Sequence, residues 1–77
     1  MKKVEIYSTP TCFYCNEAKQ YFTEHHVAYT EYNVATDLSK RREMVEKSGQ
    51  MGVPVIAIDG AIVVGFDEKQ LKQMLAL

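Results

Sequence analysis

Two cysteines, Cys12 and Cys15, are separated by two residues where an extended apolar run gives way to a helix-patterned segment. Residues three apart share one face of a helix, so the two sulfurs can close a small ring with little backbone movement. The unpaired N–H groups and the dipole at a helix start favour an anion, and therefore the thiolate form of Cys12. Thiolates in this setting attack disulfides. The spacing predicts a redox pair in which the sulfur of Cys12 is exposed to solvent. Deep burial of either sulfur, or a separation too large for the two sulfurs to bridge, would overturn that assignment.

The alternative interpretation of the pair is half of a zinc site or two inert thiols. A structural zinc site needs about four ligands. The adjacent His25 and His26 lack the spacing of a zinc finger, and we interpret them as residues at a helix end. We therefore expect no bound metal.

Size and charge narrow the class of protein. The chain has 77 residues, which predicts a single domain over residues 1–77. A net charge of -1 gives no reason to expect nucleic acid or an anionic membrane as a partner. No apolar run approaches the ~18 residues that span a bilayer, and the N-terminus lacks a signal-peptide pattern. We expect a cytoplasmic monomer, in which a lone cysteine pair is more often catalytic or metal-binding than structural.

The hydrophobic pattern predicts an α/β fold with the element order β-α-β-α-β-β-α. Strands are expected over residues 3–8, 27–34, 53–58 and 61–64. Helices are expected from residue 13 to about 26, from about 38 to about 47, and after residue 67. This order predicts a four-stranded mixed sheet packed by three helices.

Local signals mark the ends of these elements. Thr36 or Asp37 can cap the second helix and Asp67 the third, while Gly49 suits a left-handed helix end. Asp59-Gly60 is a strong hairpin signal. The apolar positions expected to be buried are Leu38, Met44 and Val45 in the second helix, and Leu71, Met74 and Leu75 in the third.

Three segments resemble the glutaredoxins, which have a thioredoxin-like fold, and the likeness covers essentially the whole chain. Cys12-Phe13-Tyr14-Cys15 is similar to their Cys-Pro-Tyr-Cys site, with Phe13 in place of proline. Residues 48–54 resemble the segment that enters the cis-proline strand, with Gly52 where the family usually has threonine. Residues 64–68 fall where glutaredoxins carry Gly-Gly-x-Asp-Asp.

The resemblance implies roles for individual residues. Cys12 would be the attacking thiolate and Cys15 the resolving thiol. The Val53–Pro54 bond would be cis, and the Val53 backbone would pair with an extended peptide or glutathione. Tyr14 is either a substrate contact or a partly exposed helix residue. Gly65, Phe66 and Asp67 would meet the far end of the ligand, although Phe66 also suits the core and Asp67 a helix cap.

The resemblance also implies a dithiol–disulfide oxidoreductase acting on disulfide-containing proteins or glutathione adducts. No bound cofactor is expected, and glutathione is a candidate co-substrate. Thr9 stands where glutathione-using members commonly carry lysine, and Gly65-Phe66 resembles members that serve ribonucleotide reductase and are recharged by thioredoxin reductase. Asp67, in contrast, is more similar to the ordinary glutaredoxins, so the chain lies between the two subgroups. The electron donor is thus either glutathione or thioredoxin reductase. Two alternative functions stay open: hydrogen donor to ribonucleotide reductase, or a glutathione-dependent iron–sulfur scaffold.

Overall fold

A computed structural model describes residues 2–77 and contains the seven elements in the predicted order. They are β1 (Val4–Ser8), α1 (Phe13–Glu24), β2 (Thr30–Asn33), α2 (Leu38–Ser48), β3 (Val55–Ile58), β4 (Ala61–Val64) and α3 (Glu68–Leu75). The strands form one mixed sheet in the order β2-β1-β3-β4. The predicted α/β architecture is confirmed.

The strand directions bring four loops to one edge of the sheet, which we call the site edge. β1 pairs parallel with β2 and antiparallel with β3, and β3 pairs antiparallel with β4. The carboxyl ends of β1, β2 and β4 therefore lie beside the amino end of β3. The segments at this edge are residues 9–12, 34–37, 53–54 and 65–67.

The helices cover both faces of the sheet. Because side chains alternate along a strand, neighbouring residues of β1 enter different clusters. Ile6 packs with Phe22 of α1 and Leu71 of α3, whereas Tyr7 packs with Met44 of α2. All four residues of β3 are buried, as expected for a central strand covered on both sides.

The caps and turns follow the local signals. Asp37 and Asp67 cap α2 and α3 by accepting hydrogen bonds from the backbone N–H groups three residues later, each at 3.1 Å. Gly49, with φ of 76°, ends α2 in the left-handed region. Asp59 and Gly60 have φ of 49° and 88°, the two positive values that a tight two-residue hairpin needs. These predictions are confirmed, with Asp37 rather than Thr36 as the cap.

Some boundaries and one buried position differ from the sequence-based expectation. Leu38 is 68% exposed, because it lies in the first turn of α2, whose one buried residue is Met44. β2 is shorter than expected, since only Thr30–Asn33 pair with β1. α1 ends at Glu24, with His25 as its C-cap. Within residues 2–77, no helix is long and apolar enough to cross a membrane.

Candidate functional site

Cys12 lies immediately before α1, at the site edge, and its side chain caps the helix. Its φ of -82° and ψ of 116° are those of an N-cap residue. The Cys15 N–H donates a hydrogen bond to Cys12 Sγ over 3.2 Å. A sulfur in this position faces the positive end of the helix dipole, which stabilises negative charge on it. Since Cys12 is also partly exposed, a charge-stabilised sulfur is accessible from solvent.

Cys15 lies beneath Cys12 and is fully buried, with 0% exposure. Both thiols are free, and a side-chain hydrogen bond joins them. Burial, followed by that hydrogen bond, raises the pKa of Cys15 to about 12. Two weaker influences lower it, namely a backbone hydrogen bond from Thr9 and the positive charge of Lys19. Cys15 is therefore held in its neutral thiol form.

The expectation that neither sulfur lies deep in the interior is wrong for Cys15. The reason is geometric: Cys15 is in the first turn of α1, on the face that packs against the sheet. A resolving thiol attacks the neighbouring sulfur and not the substrate, so burial leaves that contact in place. The requirement for solvent applies to Cys12 alone.

The Val53–Pro54 segment lies at the same edge and has a cis peptide bond. The Gly65 N–H donates a 2.8 Å hydrogen bond to the Pro54 carbonyl, which ties the loop after β4 to this segment. Gly65 has φ of 81°, a value that favours glycine. Within residues 2–77, the N–H and C=O of Val53 form no hydrogen bond. They are available to an extended ligand.

Large apolar side chains lie exposed beside the cysteines and the Val53–Pro54 loop. Phe13, Tyr14 and Met51, here called the apolar rim, are 67%, 60% and 60% exposed. The rings of Phe13 and Tyr14 meet edge to face with centroids 5.2 Å apart. Met51 was not among the sequence-predicted site residues, although an apolar residue in the loop before Val53-Pro54 was a usable signal.

Phe66 and Asp67 form the far side of the site edge. Phe66 is half-buried against Tyr21, with centroids 5.8 Å apart, and Asp67 caps α3. Both therefore have a structural role, as their alternative interpretations anticipated. Phe66 also lines a pocket of about 150 Å³, together with Tyr21, Gln20, Glu17, Glu24 and Glu68. Three carboxyl side chains and no basic residue line this pocket, which disfavours an anionic ligand.

A second cluster lies beside Cys15 and was not identified from the sequence. Lys19 Nζ lies 2.8 Å from Glu31 Oε2, and the same oxygen accepts a 2.8 Å hydrogen bond from Ser8 Oγ. Ser8 is fully buried at the end of β1. The available signal was that Lys19 follows Cys15 by one helical turn, so the two share a helix face.

His25 and His26 lie at the other end of α1 from the cysteines. The His25 ring packs on Tyr21 with centroids 4.4 Å apart. A depression of about 250 Å³ at this end is lined by both histidines, Lys2, Val27, Ala28, Leu75 and Leu77. Among residues 2–77, no three His, Cys, Asp or Glu side chains are grouped so that they could hold a metal ion.

A cysteine pair at a helix start, beside a cis-proline and on a four-stranded mixed sheet, defines the thioredoxin-like class. Comparison with known proteins narrows this class. The family model described as Glutaredoxin matches residues 4–63, and the chain belongs to the glutaredoxin family.

Individual relatives include proteins named as glutaredoxins and as glutaredoxin-like proteins. The chain is 43% identical over 72 residues to a glutaredoxin-like 8.6 kDa protein in the rubredoxin operon of Clostridium pasteurianum, covering 94% of this chain and 96% of the relative. It is 38% identical to glutaredoxin 3 of Escherichia coli K12 (88% and 82% covered). It is 32% identical to the glutaredoxin-like protein NrdH of Lactococcus lactis subsp. cremoris MG1363 (92% and 97% covered).

The similarity extends to solved structures. A crystal structure of a mutant of the thioredoxin-like protein BC3987 superposes with a TM-score of 0.91 at 34% identity, covering 99% of this chain and 97% of that one. The sequence-based resemblance and the thioredoxin-like fold are both confirmed.

Proposed function

We propose that the protein is a dithiol–disulfide oxidoreductase in which Cys12 attacks the substrate and Cys15 resolves the intermediate. The observation that carries this proposal is the arrangement of the two sulfurs. Cys12 Sγ is partly exposed and accepts a hydrogen bond from the Cys15 N–H over 3.2 Å, and a side-chain hydrogen bond with Cys12 contributes to the raised pKa of the buried Cys15 thiol. Cys12 is thus placed to react with the substrate, and Cys15 is placed to react with Cys12.

The cycle has two exchange steps. In the first, the Cys12 thiolate attacks a substrate disulfide, forms an S–S bond with one half and releases the other half as a thiolate. In the second, Cys15 loses its proton and attacks Cys12 Sγ, which forms the Cys12–Cys15 disulfide and releases the second substrate thiolate. Both released thiolates take up protons. The substrate gains two electrons, and a separate reductant later restores the dithiol.

The surroundings of Cys12 support a protein substrate over glutathione. The apolar rim offers contact area to an apolar segment, and the free N–H and C=O of Val53 suit an added extended strand. Glutathione carries two carboxylates. Thr9 provides no positive charge for them, and the pocket beside Phe66 is lined by three acidic residues.

The second candidate function is hydrogen donor to ribonucleotide reductase, recharged by thioredoxin reductase. It is supported by the 32% identity to the NrdH protein over 92% of this chain and by the Gly65-Phe66 pair. It is a specific case of the same dithiol chemistry. We infer a cytoplasmic site of action for either case, because that compartment keeps such cysteine pairs reduced.

The decisive experiment compares reductants on one substrate. Insulin reduction is followed with the wild-type chain, supplied either with NADPH and thioredoxin reductase or with NADPH, glutathione and glutathione reductase. We expect turnover with thioredoxin reductase and slower turnover with glutathione. Cys12→Ser should abolish turnover, whereas Cys15→Ser should still capture substrate as a mixed disulfide. Full activity of Cys12→Ser would overturn the mechanism.

The electron donor is tested by the same comparison. Faster reduction of the oxidised protein by glutathione would contradict the thioredoxin reductase route and would identify glutathione as the electron donor. The iron–sulfur scaffold stays a prediction, which anaerobic reconstitution with iron, sulfide and glutathione tests: protein that remains colourless would contradict it.

A further inference from the structure

The second exchange step poses a problem that the cysteine pair alone does not solve. Cys15 is fully buried, and its surroundings hold it as a neutral thiol. Only the thiolate attacks a disulfide. A buried sulfur has lost the water that would stabilise its charge, so neighbouring groups have to do so as the thiolate forms.

One lysine shares a face of α1 with Cys15. Lys19 follows it by one turn of α1, and its ammonium group lowers the pKa of Cys15. The titratable groups that act on Cys15 are Cys12, which raises its pKa, and Lys19. The Lys19 side chain is 20% exposed, so water only partly screens its charge.

The position of Lys19 is fixed from the neighbouring strand. Glu31 Oε2 lies 2.8 Å from Lys19 Nζ and accepts a hydrogen bond from Ser8 Oγ over the same distance, which joins α1 to β2 and to the end of β1. The titratable groups that act on Lys19 are Glu31, Tyr29 and Cys15. The Glu31 carboxylate thus orients Lys19.

We propose that Lys19, oriented by Glu31 and Ser8, is the positioning residue of the second exchange step, where its charge stabilises the Cys15 thiolate as it attacks Cys12. This inference rests on the dithiol cycle proposed above. It assigns the cluster a role in the rate at which bound substrate is released. The bond changes are those of the second step, and Lys19 gains and loses no covalent bond.

The test isolates the second step with one equivalent of 5,5′-dithiobis(2-nitrobenzoate). Cys12 releases one thionitrobenzoate on capture, and Cys15 releases a second on resolution, so the slower absorbance phase reports resolution. Stopped-flow traces between about pH 5 and pH 9 give the pH–rate profile of that phase. Lys19→Met should slow the phase about two- to fivefold near neutral pH and move its profile to higher pH, the effect of removing a partly screened charge.

Glu31→Gln should act in the same direction. With the carboxylate gone, Lys19 is held less firmly, so the second phase should slow by a smaller factor and its profile should move to higher pH. Lys19→Arg keeps the charge and should retain most of the wild-type rate. Lys69→Met removes an exposed lysine of α3 and serves as the matched control, which should leave the profile unchanged.

The outcomes separate this inference from the function on which it rests. If the wild-type chain releases only one thionitrobenzoate, or if Cys15→Ser releases two, the dithiol cycle itself is wrong. If the wild type shows the slower phase but Lys19→Met and Glu31→Gln slow it without moving its pH profile, the cluster is only structural and the inference is wrong. Unchanged profiles in both variants would also overturn it.

Discussion

The buried thiol of Cys15 should make the stability of the reduced protein depend on alkaline pH. Its pKa is about 12 in the folded chain, against an ordinary value of 9.0. Between these two values the unfolded chain loses the Cys15 proton while the folded chain keeps it. The free energy of unfolding therefore falls as pH rises above about 9, and the contribution is fully present below that pH.

The expected magnitude follows from the two pKa values. The linkage between proton binding and folding lowers the free energy of unfolding by about 1.4 kcal/mol between pH 7 and pH 10. The loss reaches an upper limit of about 4 kcal/mol once the pH exceeds the pKa of Cys15 in the folded chain. Cys15→Ala removes this group and keeps every other ionisable side chain in place. The difference between the wild type and Cys15→Ala in how the free energy of unfolding depends on pH therefore gives the contribution of Cys15.

The assay is urea unfolding followed by circular dichroism at pH 7, 8, 9 and 10, with a non-thiol reductant and without oxygen. Cys15→Ala will change the stability at every pH because it removes a buried sulfur, so the readout is the slope against pH. We expect the wild type to lose about 1.4 kcal/mol more than the variant by pH 10, with similar m-values. Equal slopes would refute the argument that burial keeps Cys15 protonated.

Three further predictions concern stability. Phe22→Ala removes a fully buried ring between α1 and the sheet, and should cost about 3–5 kcal/mol in a thermal or urea unfolding experiment. Asp67→Ala removes the cap that accepts from the Gln70 N–H and should cost about 1 kcal/mol, with Asp67→Asn restoring most of it. Hydrogen bonds from Lys40, Lys47 and Tyr7 lower the pKa of Glu43 to about 2. The contribution of Glu43 to the free energy of unfolding is therefore present above about pH 4.5 and is lost as the pH falls toward 2. Because its side chain is about a third exposed, Glu43→Gln should remove less than about 1 kcal/mol of that acid sensitivity, measured by unfolding at pH 2 to 6.

Local signals predicted most of the fold because the interactions that form the turns and caps are local. Asp59-Gly60 requires two positive φ values, and Asp37 reaches an N–H three residues later. Burial at a helix end was less predictable. Leu38 has the spacing of a core residue, but an apolar side chain is buried only where another layer of structure covers it.

The site was predictable to the extent that it is contiguous in sequence. The cysteine pair and the Val53–Pro54 segment each carry a short motif, and the sheet then brings them to one edge. The Ser8–Lys19–Glu31 cluster has no such motif, because its members come from three elements and meet only through strand pairing. Its chemistry depends on register, which hydrophobic periodicity alone does not specify.

Because the two sulfurs differ in exposure, the reduced protein forms one covalent adduct with a reagent or substrate at a time. Only Cys12 reaches solvent, since Cys15 has no exposed surface. A bulky electrophile therefore modifies the reduced protein at Cys12 alone, and this single modification inactivates the protein. It also follows that the chain cannot tether two clients at once: each captured molecule has to leave before the next one binds.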